Sequence, residues 1–354
     1  MKRYRHGMIV GKFYPPHSGH HFLIDYATPR CDELTVVVAP SRRESIPLDL
    51  RCQWLREAHP DVTIAGIYDD VPVDYGDADI WSRHCAIFRE AIGDRTVDAV
   101  FSSEPYGDEL ARRFGAVHVS VDPDRRTRKV SGTAVRSDPV GHWEALTPAV
   151  RGWLAKRVVV VGAESTGTTT MAAALAEAYR QRGLIWSRTQ WVPEYGRELT
   201  ARKLDRLRAA NPAATVFDVE WSRADFVDVA RAQNAAEDAA ARRSSPILIC
   251  DTDAAATAVW EERYLGDASA LVRAAARPAD LYLLTDHFGV PFEDDGLRDG
   301  KHVREWMTGR FRKVIDESGE PCVELTGPHP DRLETAITAI DQLIERGWVF
   351  ADPL

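Results

Sequence analysis

The stretch VVVVGAESTGTTTMAAALA, residues 158–176, reads as a buried strand, a glycine-bounded loop and a helix. Gly162-x-x-x-x-Gly167-x-Thr169 has the spacing of a phosphate-binding P-loop, whose backbone N–H groups cradle phosphate and whose Ser/Thr hydroxyl reaches Mg2+. The position that should hold lysine holds Thr168. The cradle does not depend on that side chain, so Gly162, Glu164, Ser165, Thr166, Gly167, Thr168 and Thr169 are all candidates for nucleotide binding. What is lost is one full positive charge.

Working outward, PILICDTD (246–253), DLYLLTD (280–286) and PCVELTG (321–327) read as further buried strands. Asp251 and Asp253 end the first of these, where carboxylates at the carboxyl end of a parallel strand face the ligand crevice. Asp251 is expected to be catalytic and, with Thr169, to hold Mg2+; a strand-terminating turn is the plainer reading of the pair. DDGLRDGKHVRE (294–305) reads as a charged lid or, more simply, a charged helix entry. Arg298, with Lys301 and Arg304, is the nearest source of the charge that Thr168 lacks.

The first half repeats the rhythm. GMIVGKF (7–13), LTVVVAP (34–40), VTIAGIY (62–68), VDAVFSS (97–103) and AVHVSVD (116–122) read as strands between helix-period segments. Alternating β and α with short apolar strands predicts an α/β chain of two doubly wound parallel-sheet domains. They are a Rossmann-like domain over 1–154 and a P-loop kinase-type domain over 155–354, divided near Trp153–Lys156. A length of 354 residues suits two domains.

GKFYPPHSGHH (11–21) follows the first strand and opens the first helix. Gly11, Lys12 and Phe13 lead into it, and His17 and His20 lie on one face of a helix start that favours anions. VSGTAVR (130–136) closes the half: Ser131, Gly132 and Thr133 can bind phosphate, and Arg136 adds a fork-shaped cation. Alone, the first string could be a Pro-rich surface loop and the second a helix cap.

Paired, they resemble the nucleotidylyltransferase superfamily, with its early H-x-G-H and late S-T-x-x-R-type motif. FSSEPYG (101–107), VDPDR (121–125), EYGRE (194–198), DTD (251–253) and DDGLR (294–298) then occur in order around the P-loop. Together they resemble the bifunctional nicotinamide-mononucleotide adenylyltransferase/ribosylnicotinamide kinase family, NadR, from about Met8 to Arg346. The resemblance implies two activities. Nicotinamide mononucleotide (NMN) plus ATP gives NAD and pyrophosphate, and nicotinamide riboside plus ATP gives NMN and ADP. It implies His17, His20, Lys12 and Arg136 at the phosphates and Mg2+ with ATP as substrate. It implies Glu194, Tyr195, Arg197 and Asp253 at the riboside, and Trp81 as a stacking platform for the pyridine ring or an ordinary core tryptophan.

Some members carry an N-terminal helix-turn-helix. Here the first strand starts near residue 7, so an enzyme rather than a repressor is expected. The missing lysine keeps open a regulatory, nucleotide-sensing second domain; a non-catalytic scaffold is the third reading. A net charge of −9 argues against nucleic-acid and membrane partners. Five scattered cysteines fit a reducing cytoplasm. Small molecules are the expected partners, and a homo-oligomer is allowed for. Arg42 and Arg43 read as solvated loop charges.

Overall fold

The computed structural model describes residues 3–354. Met1 and Lys2, the head of the first expected domain, lie outside the described residues. The chain divides into two compact units. The first runs to Val150 and takes in Gly347–Leu354 as well, and the second is Arg151–Arg346.

The first unit contains β1 (Tyr4–Gly11), α1 (Ser18–Ala27), β2 (Cys31–Val38), α2 (Leu48–Ala58), β3 (Thr63–Gly66) and α3 (Ala78–Ile92). β4 (Ala99–Ser102), α4 (Tyr106–Phe114), β5 (Val117–Ser120) and α5 (Gly132–Ser137) follow, and α6 (Pro148–Leu154) leads into the second unit. The sheet is parallel, in the order β3-β2-β1-β4-β5. Ile9, Val36, Val38 and Phe101 fill one face, Met8, Val10, Val37 and Val100 the other. Burial on both faces is why these strands read as unbroken apolar runs. β1 is followed on one side by β2 and β3 and on the other by β4, so the loop after β1 sits at the switch point where open α/β sheets bind ligands.

The second unit contains β6 (Lys156–Gly162), α7 (Thr168–Arg180), β7 (Gln190–Val192), α8 (Tyr195–Ala210), α9 (Arg223–Ala241) and β8 (Ile247–Asp251). α10 (Ala254–Leu265), α11 (Ala270–Ala275), β9 (Leu281–Thr285), α12 (Arg304–Ser318), β10 (Cys322–Leu325) and α13 (His329–Glu345) complete it. Its parallel sheet runs β10-β9-β6-β8-β7, with the P-loop strand at the centre. Val158 and Val160 pack with Leu175, Ile249, Leu283 and Ile340.

Three sequence expectations change. β1 starts at Tyr4 rather than Gly7 and ends at Gly11, because Phe13 turns out of the sheet with φ 49°. β7 is unforeseen; only three residues long, it gives too little alternation to read. The second unit ends at Arg346 and not at residue 354. The last residues return to the first unit, where Trp348 packs on Trp143, Phe350 on Tyr14, and the Tyr14 hydroxyl donates to the Ala351 carbonyl at 2.9 Å.

Candidate active site

In the first unit a cleft of about 610 Å³ opens at the carboxyl end of β1. It brings together Gly11, Lys12, Phe13, His17, His20, Trp81, Ser131, Gly132, Thr133 and Arg136, every residue expected there. His17 caps α1 reciprocally with His20. The Gly19 N–H donates to His17 Nδ1 (3.1 Å), the His17 N–H donates to His20 Nδ1 (3.3 Å), and the two rings stack at 3.7 Å. Burial, then neighbouring His21 and Arg125, pushes the pKa of His17 down to about 3. Burial and His17 lower that of His20 well below its usual range. Both are therefore neutral at pH 7, and because each Nδ1 accepts, the proton sits on Nε2. Each ring offers one N–H donor and no full charge.

Charge comes from the rim. Lys12 Nζ lies 3.3 Å from the buried Glu44 carboxylate, which also pairs with Arg51. Arg136 stacks over Tyr14 with its guanidinium carbon 4.9 Å from the ring centre. One arm donates to the Tyr14 carbonyl at 2.8 Å and the other reaches the Thr133 hydroxyl at 3.3 Å. This fork ties α5 to the histidine loop. Ser131 uses its hydroxyl to cap α5, accepting from the Ala134 N–H at 3.1 Å. Arg136→Lys should lower kcat/KM for ATP by about 10- to 100-fold, since a point charge cannot keep both arms of the fork. Steady-state kinetics with ATP varied will check it, and wild-type values would remove Arg136 from the site.

Trp81 lies on α3, is only 6% exposed, and donates its indole N–H to the Tyr75 carbonyl at 3.2 Å. It lines the cleft as a floor. Tyr75, 66% exposed and stacked on Tyr106, is the freer platform, and its position in a loop hid it from the sequence reading. Further polar residues of the cleft went unforeseen, among them Asp69, His84 and Arg128. His84 Nδ1 is 2.5 Å from Asp69 Oδ2, and Arg125 and Arg128 also line the cleft. Arg42 pairs with Asp70 and stacks over Tyr68, a surface role as expected.

In the second unit a smaller cleft of about 100 Å³ is lined by Gly162, Glu164, Ser165, Thr168, Thr169, Glu194, Arg197, Asp251 and Arg298, among others. Two glycines are geometrically required. A Cβ on Gly162 would sit 2.1 Å from Thr285 Oγ1, and Gly167 has φ +91°. The Thr169 hydroxyl donates to Asp251 Oδ2 at 2.6 Å, while Asp251 Oδ1 is buried with no partner.

Four expected residues stand differently from the sequence reading. Asp253 does not line this cleft, because its carboxylate caps α10 through the Ala256 N–H (2.7 Å) and accepts the Tyr282 hydroxyl (2.6 Å). Tyr195 does not line it either; its hydroxyl accepts from Arg202 at 2.5 Å. The Thr166 hydroxyl turns inward to the Ala163 carbonyl and Thr285, at 2.7 Å each. Glu164 tethers the 294–300 segment, pairing with Arg263 (3.0 Å) and accepting the Gly300 N–H (2.5 Å) and Asp299 N–H (3.2 Å). Arg298 does reach the loop, at 3.2 Å from Ser165 Oγ, but it also lies 3.5 Å from Asp295.

Burial pushes the Asp251 carboxyl up to about 6. Burial and the nearby Asp251 push Glu194 up to about 8. Both folded pKa values exceed the unfolded ones. Their protonated forms therefore stabilise the empty unit fully below about pH 4, and this contribution fades as pH rises through 6 and then 8. Glu194→Gln should flatten the upper part of that decline and raise the melting temperature of the ligand-free chain near pH 8.5. Each kcal/mol recovered corresponds to about 2–4 °C for a domain of this size. Thermal unfolding from pH 5 to 9 tests this; curves parallel to the parent would exclude Glu194 as the titrating group.

Among the described residues, no cluster of three or more His, Cys, Asp or Glu could hold a metal, and no helix is long and apolar enough to cross a membrane.

The two clefts define an α/β chain of nucleotide-binding units, a histidine–arginine cleft of nucleotidylyltransferase type followed by a P-loop unit. Residues 157–332 match the family model described as an AAA domain. The chain is 26% identical over 313 residues to the trifunctional NAD biosynthesis/regulator protein NadR of Escherichia coli K12, covering 82% of this chain and 71% of that protein. The Salmonella typhimurium LT2 protein of the same name is 26% identical over 312 residues, with the same coverage. A crystal structure of NadR protein in complex with NR superposes with a TM-score of 0.73 at 23% identity, covering 97% of this chain and 96% of that one. Another, in complex with NAD and AMP-PNP, gives 0.71 at 21%, covering 98% of each. Over most of its length the chain is thus similar to NadR proteins, in sequence and in fold.

Proposed function

We propose that the first unit transfers AMP from ATP to NMN, giving NAD and pyrophosphate, and that the second phosphorylates nicotinamide riboside with ATP. The observation that carries this is the meeting of His17, His20, Lys12 and Arg136 with Ser131 and Thr133 in one cleft at the switch point of the first sheet. The relatives support the substrates: NadR structures hold NR, and NAD with an ATP analogue.

The NMN phosphate oxygen attacks the α-phosphorus of ATP. A new P–O bond forms, the bond to the bridging oxygen breaks, and its electron pair leaves with pyrophosphate. The Nε2–H groups of His17 and His20 donate to the oxygens on which charge grows. Arg136, Lys12 and the arginines of the 125–128 loop offset the triphosphate charge. This is catalysis by positioning and preorganised donors.

In the second unit the riboside hydroxyl oxygen attacks the γ-phosphorus; a new P–O bond forms, the bond to the β–γ bridging oxygen breaks with its electron pair leaving on ADP, and the hydroxyl proton passes to the Asp251 carboxylate, the less raised of the Asp251–Glu194 pair. The orphaned Asp251 Oδ1 and the Thr169 hydroxyl are the oxygens that would hold a Mg2+ ion here. When bound, that ion offsets charge between the β- and γ-phosphates. Arg298 of the lid touches Ser165, so Arg298→Ala should lower riboside phosphorylation by about 10-fold, the scale of one charge-assisted hydrogen bond. A rate indifferent to the change would remove the lid arginine from the chemistry.

Thr168 favours a second reading, in which the P-loop unit senses nucleotide without transferring phosphate. One experiment separates the two. The chain is incubated with Mg·ATP and either NMN or nicotinamide riboside, and products are resolved by chromatography. NAD from the first and NMN from the second are expected. NAD alone would leave the sensor, and neither product would leave only a nucleotide-binding scaffold. The expected setting is cytoplasmic, with small-molecule substrates and no nucleic acid or membrane. Of the five free cysteines, four are buried and only Cys322 is exposed.

A further inference from the structure

Thr168 removes a cation from the P-loop, and two arginines of the second unit, Arg304 from the expected set and the unforeseen Arg332, bear on where that charge went. Arg304, the first residue of α12, donates from Nη2 to the Ser165 carbonyl at 3.2 Å. Arg332, in α13 and 4% exposed, donates from Nη1 to the next carbonyl, that of Thr166, at 3.2 Å. Two guanidiniums from different helices thus hold consecutive P-loop carbonyls.

Both are incompletely satisfied. Arg304 Nε and Arg332 Nη2 are buried with no hydrogen-bond partner. Among the described residues, neither arginine has a carboxylate within ion-pair distance. The acid that acts on both is Asp286, which lies 3.2 Å from His287. Other arginines near the loop differ. Arg263 is paired with Glu164 and Asp299, Arg197 with Asp295, and Arg298 lies 3.5 Å from Asp295. Arg332 is buried and Arg304 half-buried; a cation withdrawn from water without a counter-ion is costly to keep, and two together at one loop call for an anion. The peptide planes fit this. A carbonyl pulled toward a guanidinium turns the following N–H to the opposite side of the planar peptide, so Arg332 orients the Gly167 N–H through the Thr166 carbonyl.

We propose that Arg304 and Arg332 are the counter-charge for the polyphosphate chain of the nucleotide bound by the P-loop, acting through the loop backbone in place of the absent lysine. They are positioning residues, and the proposal rests on the reading that this unit binds Mg·ATP. Arg298 closes the site from the lid but is partly offset by its own acid. Arg304 and Arg332 hold the loop from helices α12 and α13.

The test uses the full chain with Arg304→Met and Arg332→Met, each alone and combined with Thr168→Lys. Two quantities are read: kcat/KM for Mg·ATP in riboside phosphorylation, and melting temperature with and without Mg·ATP. The first unit is unaltered in every variant, so differences report on the second. Each Met variant should lose about 10- to 100-fold in kcat/KM, the scale of losing one charged donor, and less than about 3-fold when Thr168→Lys is also present. Arg332→Lys should retain more activity than Arg332→Met. Without nucleotide the Met variants should melt no lower than the parent, and the rise caused by Mg·ATP should shrink. Equal losses in both backgrounds with lower ligand-free melting would show arginines that merely brace the loop, overturning the proposal. Undiminished phosphorylation in both Met variants would overturn it too, while leaving the kinase reading intact. A parent that transfers no phosphate, yet whose Mg·ATP stabilisation vanishes in Arg332→Met, would support the counter-charge and remove the kinase reading instead.

Discussion

His20→Ala should lower NAD formation from NMN and ATP by ~10²–10³, with a smaller change in KM for ATP. The reason lies in its protonation. A half-buried, neutral imidazole whose Nδ1 accepts a backbone N–H can only donate from Nε2. Such a donor does most where charge is accumulating, and removing one preorganised donor from a developing oxyanion costs about 3–4 kcal/mol. The loss should fall on kcat more than on binding. His20 also accepts the His17 N–H, so the variant removes a capping contact of α1. Melting temperature must therefore be followed alongside rate. His20→Gln separates the two effects, because its amide can both accept that bond and donate one. If His20→Ala keeps parental turnover, the histidine loop is a helix cap and nothing more.

Asp251→Asn should nearly silence riboside phosphorylation, by ~10³ or more, and should raise the Mg2+ concentration needed for whatever activity is left. Asp251 sits at the end of β8 beside the central P-loop strand, accepts the Thr169 hydroxyl, and keeps its other oxygen buried and unpaired. An asparagine can still accept from Thr169. It presents no negative charge to a cation and takes no proton, so phosphoryl transfer, which depends on charge neutralisation and positioning, loses both. The ligand-free variant should be at least as stable as the parent at pH 8, since burial already opposes the charge on Asp251. A Mg2+ titration of initial rates is the measurement. An unchanged Mg2+ midpoint would place the metal elsewhere.

Much of this was legible because two loops are written compactly. GAESTGTT and GKFYPPHSGH each follow a strand buried on both faces, and each spends glycines where a side chain would clash or the backbone must turn. Local chemistry of that kind survives in sequence. What did not survive depends on distant partners. Nothing in HPDRLE says that Arg332 will lie beneath a loop 166 residues earlier. Glu164 sits inside the P-loop and reads as a phosphate-site residue, yet it binds Gly300 and Arg263, which are brought to it by folding alone. Asp253 shares a tripeptide with Asp251. Thr252 between them has φ 68°, and this turns the second carboxylate away to α10. The pairing of Asp69 with His84 spans a loop and has no sequence signature at all.

The return of Gly347–Leu354 to the first unit has a consequence for how the chain comes into being. That unit is discontinuous: roughly 200 residues of another unit are translated between its body and its closing segment. At ribosomal rates of about 5–20 residues per second, the nascent first unit waits about 10–40 s with the Tyr14 and Trp143 surfaces uncovered. The P-loop unit, whose elements are contiguous in the chain, can close before its predecessor does. The order of maturation is then the reverse of the order of synthesis, and a chaperone that shields apolar surface would find its target on the older end of the growing polypeptide.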